Sequence, residues 1–519
     1  MLIGRIVAQP ETTTISSVTA SRTDDDTPLW LFADQLGPHF HGGEHSRRPV
    51  LLVEADSALR RRRFHRQKLH LVLSALRHAE HDLGDRATLI RTGTYIEALR
   101  AYGRPVLVHE PTSFAAERFV HRLRADGLVA DVLPTPAFAL PRSEFQAWAL
   151  KDGKARTRFR LEDFYREQRR RFGVLMDGDQ PVGGKWNYDA DNRESPPKGV
   201  PHLDVVPPHL PIEDDIDAQV RRDLDAMNLD TVGADGPRLF AVTPAEADAV
   251  LRQFIDHRLT LFGRYEDAMM SGDWAMAHSL LSVPLNLGVL HPLAAVHAAE
   301  RAYRDGSAPL AAVEGFIRQI LGWREYVWQL YWHFGPHYRD NNALEAHTPL
   351  PDWWSDLDAG AVDAECLRQA LAGVRDRGWV HHIQRLMVLG NHALQRGYRP
   401  DDLNDWFASA FVDGFAWVMP ANVIGMSQHA DGGRMATKPY TSGGAYISKM
   451  SDHCRSCRFD PKKRLGDDAC PFTAGYWAFV DRHQDLLAAN MRTARAVSSM
   501  KRLADLDAVI EQERHRDTF

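Results

Sequence analysis

The stretch "PVLLVEADSALRRRRFHRQKLHLVLSALRHAEHDLGDRATLIRTG" (49–93) decides the fold of the first part of the chain. Its two ends, "PVLLVEAD" (49–56) and "ATLIRTG" (87–93), are short apolar runs of the kind that form buried strands. Between them, "HRQKLHLVLSALRHA" (65–79) repeats Leu69, Val72, Leu73 and Leu76 at helical spacing. Two more apolar runs, "LWLFADQL" (29–36) and "RPVLVHEP" (104–111), continue the pattern on either side. Strand–helix–strand alternation predicts an α/β domain built on a parallel, Rossmann-like sheet. Ligands of such sheets lie beyond the C-terminal ends of the strands, where Asp34, Gln35 and Glu54 fall. No glycine-rich turn follows the first run, which argues against a dinucleotide gripped by this sheet.

A chain of 519 residues is too long for one ordinary core, so two or more domains are expected. Apolar content of 44% and charged content of 25% are those of a soluble globular protein. The net charge of −6 excludes a uniformly basic nucleic-acid binder but not a local basic surface. No run of about 18 apolar residues occurs, so no membrane span is expected. Residues 1–28 are rich in Thr, Ser and Asp and lack a signal-peptide core; they read as a mobile tail. Four cysteines in so long a chain do not make a disulfide scaffold, and a reducing cytoplasm fits them better.

The α/β pattern covers 29–136. Residues 137–242 read as a connector, with the basic helical pattern "RTRFRLEDFYREQRRRFG" (156–173) followed by a long Pro-, Gly- and Asp-rich stretch (175–211). From 243 to 519 helical periods dominate, which predicts a large all-helical domain.

Three of the four cysteines stand close together in "MSDHCRSCRFDPKKRLGDDACPF" (450–472). With Cys366 far upstream, Cys454, Cys457 and Cys470 could close a zinc site or hold an iron–sulfur cluster, and spacing does not choose between them. In "WVHHIQRLMVLGNHAL" (379–394), Arg385 stands one turn from His381 and nearly one from His382. Such a pairing suits proton donation near an anion. On these residues alone, a helix packed by its aliphatic face with solvated His and Arg is the favoured reading. Ser279 and Ser282 in "AHSLLSVPLNLG" (277–288) sit where a helix start could meet a phosphate, or could be an ordinary cap. The helix pattern "EGFIRQILGWREYVWQLYW" (314–332) is dense in aromatics, which pack cores or wall a flat cofactor. Most of the thirteen tryptophans lie beyond residue 270. Indoles are mostly packing groups, but they oxidise easily, so a string of them can relay an electron.

Five stretches, "DGDQPVGGKWNYDADNR" (177–193), "VEGFIRQILGWREY" (313–326), "HHIQRLMVLGN" (381–391), "ANVIGMSQHADGG" (421–433) and "TKPYTSGGAYISKMSDHCRSCRFDPK" (437–462), resemble the iron–sulfur bacterial cryptochromes and photolyases. These form the prokaryotic (6–4) branch of the photolyase/cryptochrome superfamily, and the resemblance runs from about 29 to 485. It implies the photolyase/cryptochrome fold, with an antenna domain followed by a helical domain holding FAD. It also implies a 4Fe–4S cluster on Cys366, Cys454, Cys457 and Cys470, and a 6,7-dimethyl-8-ribityllumazine antenna near Asp34, Gln35 and Glu54. The FAD site would use Ser279, Leu280 and Ser282 for phosphates, with Gln319, Arg324 and an Arg385–Asp413 ion pair around the ring and its linker. The implied chemistry is blue-light electron transfer from reduced FAD to a (6–4) pyrimidine dimer flipped out of UV-damaged DNA. His382, with His381 beside it, would protonate the lesion. Lys185, Trp186, Lys438 and the basic helix around Arg169–Arg171 would meet DNA, unless they are simply a solvated face. A bacterial, cytoplasmic monomer is expected.

Three positions depart from the family pattern. Met419 stands where a glutamate is usual. The electron-relay Trp-Tyr pair reads Trp406–Phe407. An aromatic segment ahead of the first cysteine is "DWWSDLDAGAVDAEC" (352–366), where Trp353 or Trp354 would substitute. These departures keep a second expectation open, a cryptochrome-like photoreceptor that uses the same cofactors and a signalling partner. A third is an iron–sulfur DNA-binding protein with an idle flavin.

Overall fold

The structure, a computed structural model, describes residues 26–519 apart from 152–153 and 157–158. The predicted tail lies mostly outside the described residues. Five parallel strands form one sheet. Leu29–Trp30 is central, with Val50–Ala55 and then Ala87–Thr92 on one side, and Val106–His109 and then Val129–Leu133 on the other. Both faces of the sheet are covered, as parallel sheets require. Val50 and Leu52 point into the large core shared with the helix Arg66–Leu83. Leu51 and Val53 point the other way, under the helices Tyr95–Tyr102 and Phe114–Ala125.

The sequence reading is corrected in two places here. The first strand stops at Trp30 because the chain turns: the Gln35 N–H bonds the Phe32 carbonyl, and Asp34 and Gln35 ride the turn. The strand Val129–Leu133 was not foreseen, since its exposed edge interrupts the apolar run with Asp131.

The connector has more structure than its composition suggested. It contains the helices Arg142–Ala149, Leu161–Phe172 and Asp215–Met227. The last lies against Arg66–Leu83, and Thr231–Val232 pairs with Phe64–His65. Arg238 anchors this strap through Asp217 (2.9 Å) and Glu246 (2.8 Å), with its own side chain and that of Asp217 fully buried. Such a pair persists because both charges are satisfied together.

Beyond residue 243 the chain is helical, as expected. Pro244–His257 starts in a Thr243/Glu246 capping box. Three later helical stretches contain π turns, Arg318–Arg324, Gln384–Gly390 and Ala421–Ser427. The first two run directly into the helices Glu325–Phe334 and Asn391–Arg396. A π turn widens the helix by one residue, and such turns recur at functional sites. No described helix is long and apolar enough to cross a membrane.

Candidate active site

All three π turns face one cavity of about 810 Å³, inside the range typical of cofactor and ligand sites, about 300–1,000 Å³. Gln319 and Arg324 reach it from the first turn, Arg385 and Met387 from the second, and Asn422 and Met426 from the third. The second and third turns touch closely. A Cβ at Gly390 would lie 2.2 Å from the Ser427 hydroxyl, so only glycine allows this approach.

Arg385 and Asp413 form a two-pronged ion pair, Nη1–Oδ1 at 2.9 Å and Nη2–Oδ2 at 3.0 Å. Paired forks of this kind are strong and directional. The Ser282 hydroxyl donates to the same Asp413 carboxylate at 2.7 Å. The Ser282 hydroxyl thus orients Asp413, and a phosphate would meet the Ser282 backbone N–H rather than this hydroxyl. Its helix, Ser282–Asn286, is a single short turn. Ser279 and Leu280 line the cavity, Leu280 with a left-handed φ of 57°. Arg324 is held by the carbonyls of Ala137 (3.2 Å) and Leu285 (3.1 Å) and lies 4.3 Å over the Phe138 ring. Gln319 donates to Glu266 at 2.5 Å.

The two histidines differ sharply. His381 is buried, its ring stacked on His278 at 4.8 Å, and burial together with His278 and His382 drives its pKa far down. It is a neutral ring at physiological pH. His382 has about half its side chain open, 3.5 Å from Asp267. Desolvation opposes its charge, but the hydrogen bond to Asp267 and the charges of Asp267 and Glu266 win, and its pKa is raised. Glu266 is pushed by burial up to about 7. Neither Glu266 nor Asp267 was singled out from sequence; the adjacent acid pair in "RYEDAM" (264–269) was the available signal. Another unforeseen group is Lys68, on the α/β domain's long helix. Buried, its ammonium donates to the carbonyls of Ala408 (2.6 Å) and Gly414, and so braces the loop that carries Asp413.

Met419 and Phe407 both line the cavity and are buried. Trp406 lies behind Phe407, ring centres 4.9 Å apart, and meets Trp354 at 5.3 Å; Trp353 is one ring further out, 5.7 Å from Trp354.

A second site lies beside this one. The four cysteines, all free thiols, line one small pocket with Ala364, Ile447, Phe459 and Phe472. Burial and the neighbouring sulfurs raise the pKa of Cys366 strongly and push Cys454 up to about 12. Four converging sulfurs in an apolar cage are a ligand set for a metal or cluster, since only a bound cation offsets so many thiolates.

The expected DNA residues separate. Lys438 is exposed at the cavity wall, near Arg193 and Lys449, which line it too. Lys185 is exposed but stands outside the cavity, over the Tyr188 ring at 5.6 Å. Trp186 is half-buried beneath Arg170 at 4.7 Å. Arg169 is fully buried and holds the carbonyls of Val174, Leu175 and Trp186, so it is a structural residue rather than a surface contact. Arg171 is paired with Glu144.

The three strand-end residues do not form one site. Asp34 accepts from Thr112, and Gln35 bonds the Glu110 carbonyl and the Phe32 N–H. Glu54 is buried in a two-pronged pair with Arg77 at 2.8 and 3.0 Å and faces a different cavity.

Residues 29–238 match the family model described as deoxyribodipyrimidine photo-lyase-related protein. The chain is 38% identical to the (6-4) photolyase of Agrobacterium fabrum over 496 residues, 92% of this chain and 95% of that one. Two solved structures share its fold. A bacterial class III photolyase from Agrobacterium tumefaciens superposes with a TM-score of 0.54 at 17% identity, over 94% of this chain and all of that one. A Synechocystis cryptochrome gives 0.52 at 12% identity, over 79% and 83%.

Proposed function

Because this chain belongs to the photolyase family, we propose that it repairs (6–4) pyrimidine photoproducts in UV-damaged DNA under blue light, using FAD in the large cavity. The observation that carries the proposal is His382: an imidazole 3.5 Å from Asp267, which raises its pKa, and open to a cavity of cofactor size. FAD fits the residues present. Buried polar atoms with no hydrogen-bond partner in the protein, Arg324 Nε, His278 Nε2 and Ser442 Oγ, belong to residues that line the cavity. A polar, anionic ligand would satisfy them, and buried polar groups seek such partners. Leu285, Trp379 and Val423 supply apolar wall for a flat ring. When bound, FAD supplies the light-driven electron.

The chain's own groups do the rest. The Arg385–Asp413 pair sets a fixed dipole at the cavity wall. His382 gives its proton to the lesion and recovers it, with Asp267 holding the imidazolium. Neutral His381 packs behind it and adds no competing charge. Lys438, Arg193 and Lys449 offer cations to DNA phosphates beside the opening.

The cysteine cage fits a 4Fe–4S cluster: four thiols, no disulfide, an apolar lining, and a Glu365 N–H at 3.5 Å from Cys457 Sγ. It would tie the helix Glu365–Arg377 to the C-terminal segment. No antenna site is assigned: Asp34, Gln35 and Glu54 each have a protein partner and do not line one common cavity. The reading is tested with a defined (6–4) lesion in a short single-stranded oligonucleotide, under blue light, with chemically reduced flavin. Restored thymines, lost on His382→Ala, support it. No repair by protein that carries the flavin would overturn it in favour of a photoreceptor.

A further inference from the structure

An oxidised flavin in the cavity must be reduced before repair, and the most direct aromatic wall group towards Trp406 is Phe407, a ring that resists oxidation. The cavity wall holds another indole. Trp379 lines the cavity, is 5% exposed, and packs 5.7 Å from the Arg385 guanidinium, which also lies 4.4 Å from the Phe411 ring. Its ring meets Trp274 edge to face, 5.6 Å between centres at 85°. Trp274 is only partly buried, does not line the cavity, and has Arg377 5.3 Å from its ring. Two indoles in contact thus join the cavity to the surface.

Resting on the flavin reading above, we infer that Trp379 and Trp274 form the electron entry route of this protein. Under light, one electron passes from the Trp379 indole to the excited, oxidised flavin, leaving a Trp379 radical cation. Trp274 refills Trp379 and carries the oxidation outward. Trp274 reaches solvent, so its indole proton leaves to water, which relieves the charge beside the Arg377 guanidinium. A soluble thiol then returns one electron and one proton to Trp274. Two thiyl radicals pair as a disulfide, so two electrons entering the flavin consume two thiols.

A second string, Trp417–Trp328–Trp332, also starts at the cavity, with ring centres 5.8 and 5.4 Å apart. Its outer end is less suited to a positive hole. Arg324 lies 5.3 Å from Trp417, and Arg142 sits directly over Trp332 at 3.8 Å. Cations face both strings, Arg385 and Arg377 the first and Arg324 and Arg142 the second; what separates them is the far end, where Trp332 Nε1 is buried with no hydrogen-bond partner and its proton has no direct way to water.

The test uses full-length, flavin-loaded protein with dithiothreitol as the thiol. Photoreduction is followed by flavin absorbance and the tryptophan radical by transient absorption, in wild type and in Trp379→Phe, Trp274→Phe, Trp274→Tyr, Trp406→Phe and Trp328→Phe. Loss of photoreduction in Trp379→Phe and Trp274→Phe, with recovery in Trp274→Tyr, is expected, because tyrosine is oxidisable and phenylalanine is not. Trp406→Phe and Trp328→Phe should match wild type. Loss in either of those, with Trp274→Phe unaffected, would overturn the route. Repair by Trp274→Phe whose flavin is chemically reduced should be unchanged, which separates failure of the route from failure of the flavin reading: a wild type that takes up no flavin refutes the latter.

Discussion

Asp267→Asn tests how His382 is kept charged. Asp267 sits 3.5 Å from His382 Nε2, and about half of the His382 side chain is open to water. A water-like dielectric is therefore the right limit, and the attraction between the two charges is about 1 kcal/mol. One pKa unit corresponds to about 1.4 kcal/mol, so the substitution should lower the His382 pKa by a little under one unit. The wild-type pKa is raised above 6.5; with the protonated ring as the active form, as proposed above, repair should be full at low pH and decline as pH rises through that pKa. The variant should decline at a pH lower by roughly the same amount. Single-turnover repair with chemically reduced flavin, measured from pH 5.5 to 9, reports the midpoint without involving photoreduction. Identical midpoints in the two proteins would refute Asp267 as the group that holds the proton.

Three further outcomes are expected. Cys454→Ser removes one of four converging sulfurs and should give insoluble or flavin-free protein; soluble, FAD-loaded variant would refute a structural role for the cage. Asp413→Asn strands the Arg385 guanidinium and removes a charge facing Lys68, so stability should fall by about 3–5 kcal/mol, read as a lower unfolding midpoint in urea; an unchanged midpoint would mean that the pair is dispensable to folding. Phe407→Tyr places an oxidisable ring 4.9 Å from Trp406, so thiol-dependent photoreduction should survive Trp379→Phe in that background, and a double variant as slow as Trp379→Phe alone would show that no route opens there.

The sheet was legible because buried strands write unbroken apolar runs and the covering helix repeats Leu69, Val72, Leu73 and Leu76. The edge strand was not, because half-exposed residues such as Asp131 erase the run. Cys366 could be joined to the three C-terminal cysteines from sequence by resemblance alone; spacing cannot bridge so long an interval, and the fold closes it. The Arg385–Asp413 pair was legible in the same way. Glu266, Asp267 and Lys68 were not, since what makes them functional is a neighbour distant in the chain. Arg169 shows the reverse error. A basic run looks like a surface, yet one of its members turned inward to serve three carbonyls.

The three π turns imply a particular pattern of mutational tolerance. One extra residue in a helix rotates everything after it by about 100°. The wide turn between 318 and 324 absorbs that residue, so Trp328 and Tyr331 beyond it keep their phase and stay in the core. The turn between 384 and 390 does the same for Asn391 and His392. In these segments one residue could be lost by closing the wide turn, which would draw its side chains back from the cavity and leave the helix beyond in phase. The shape of the cavity wall and the packing behind it are thereby separable in these helices.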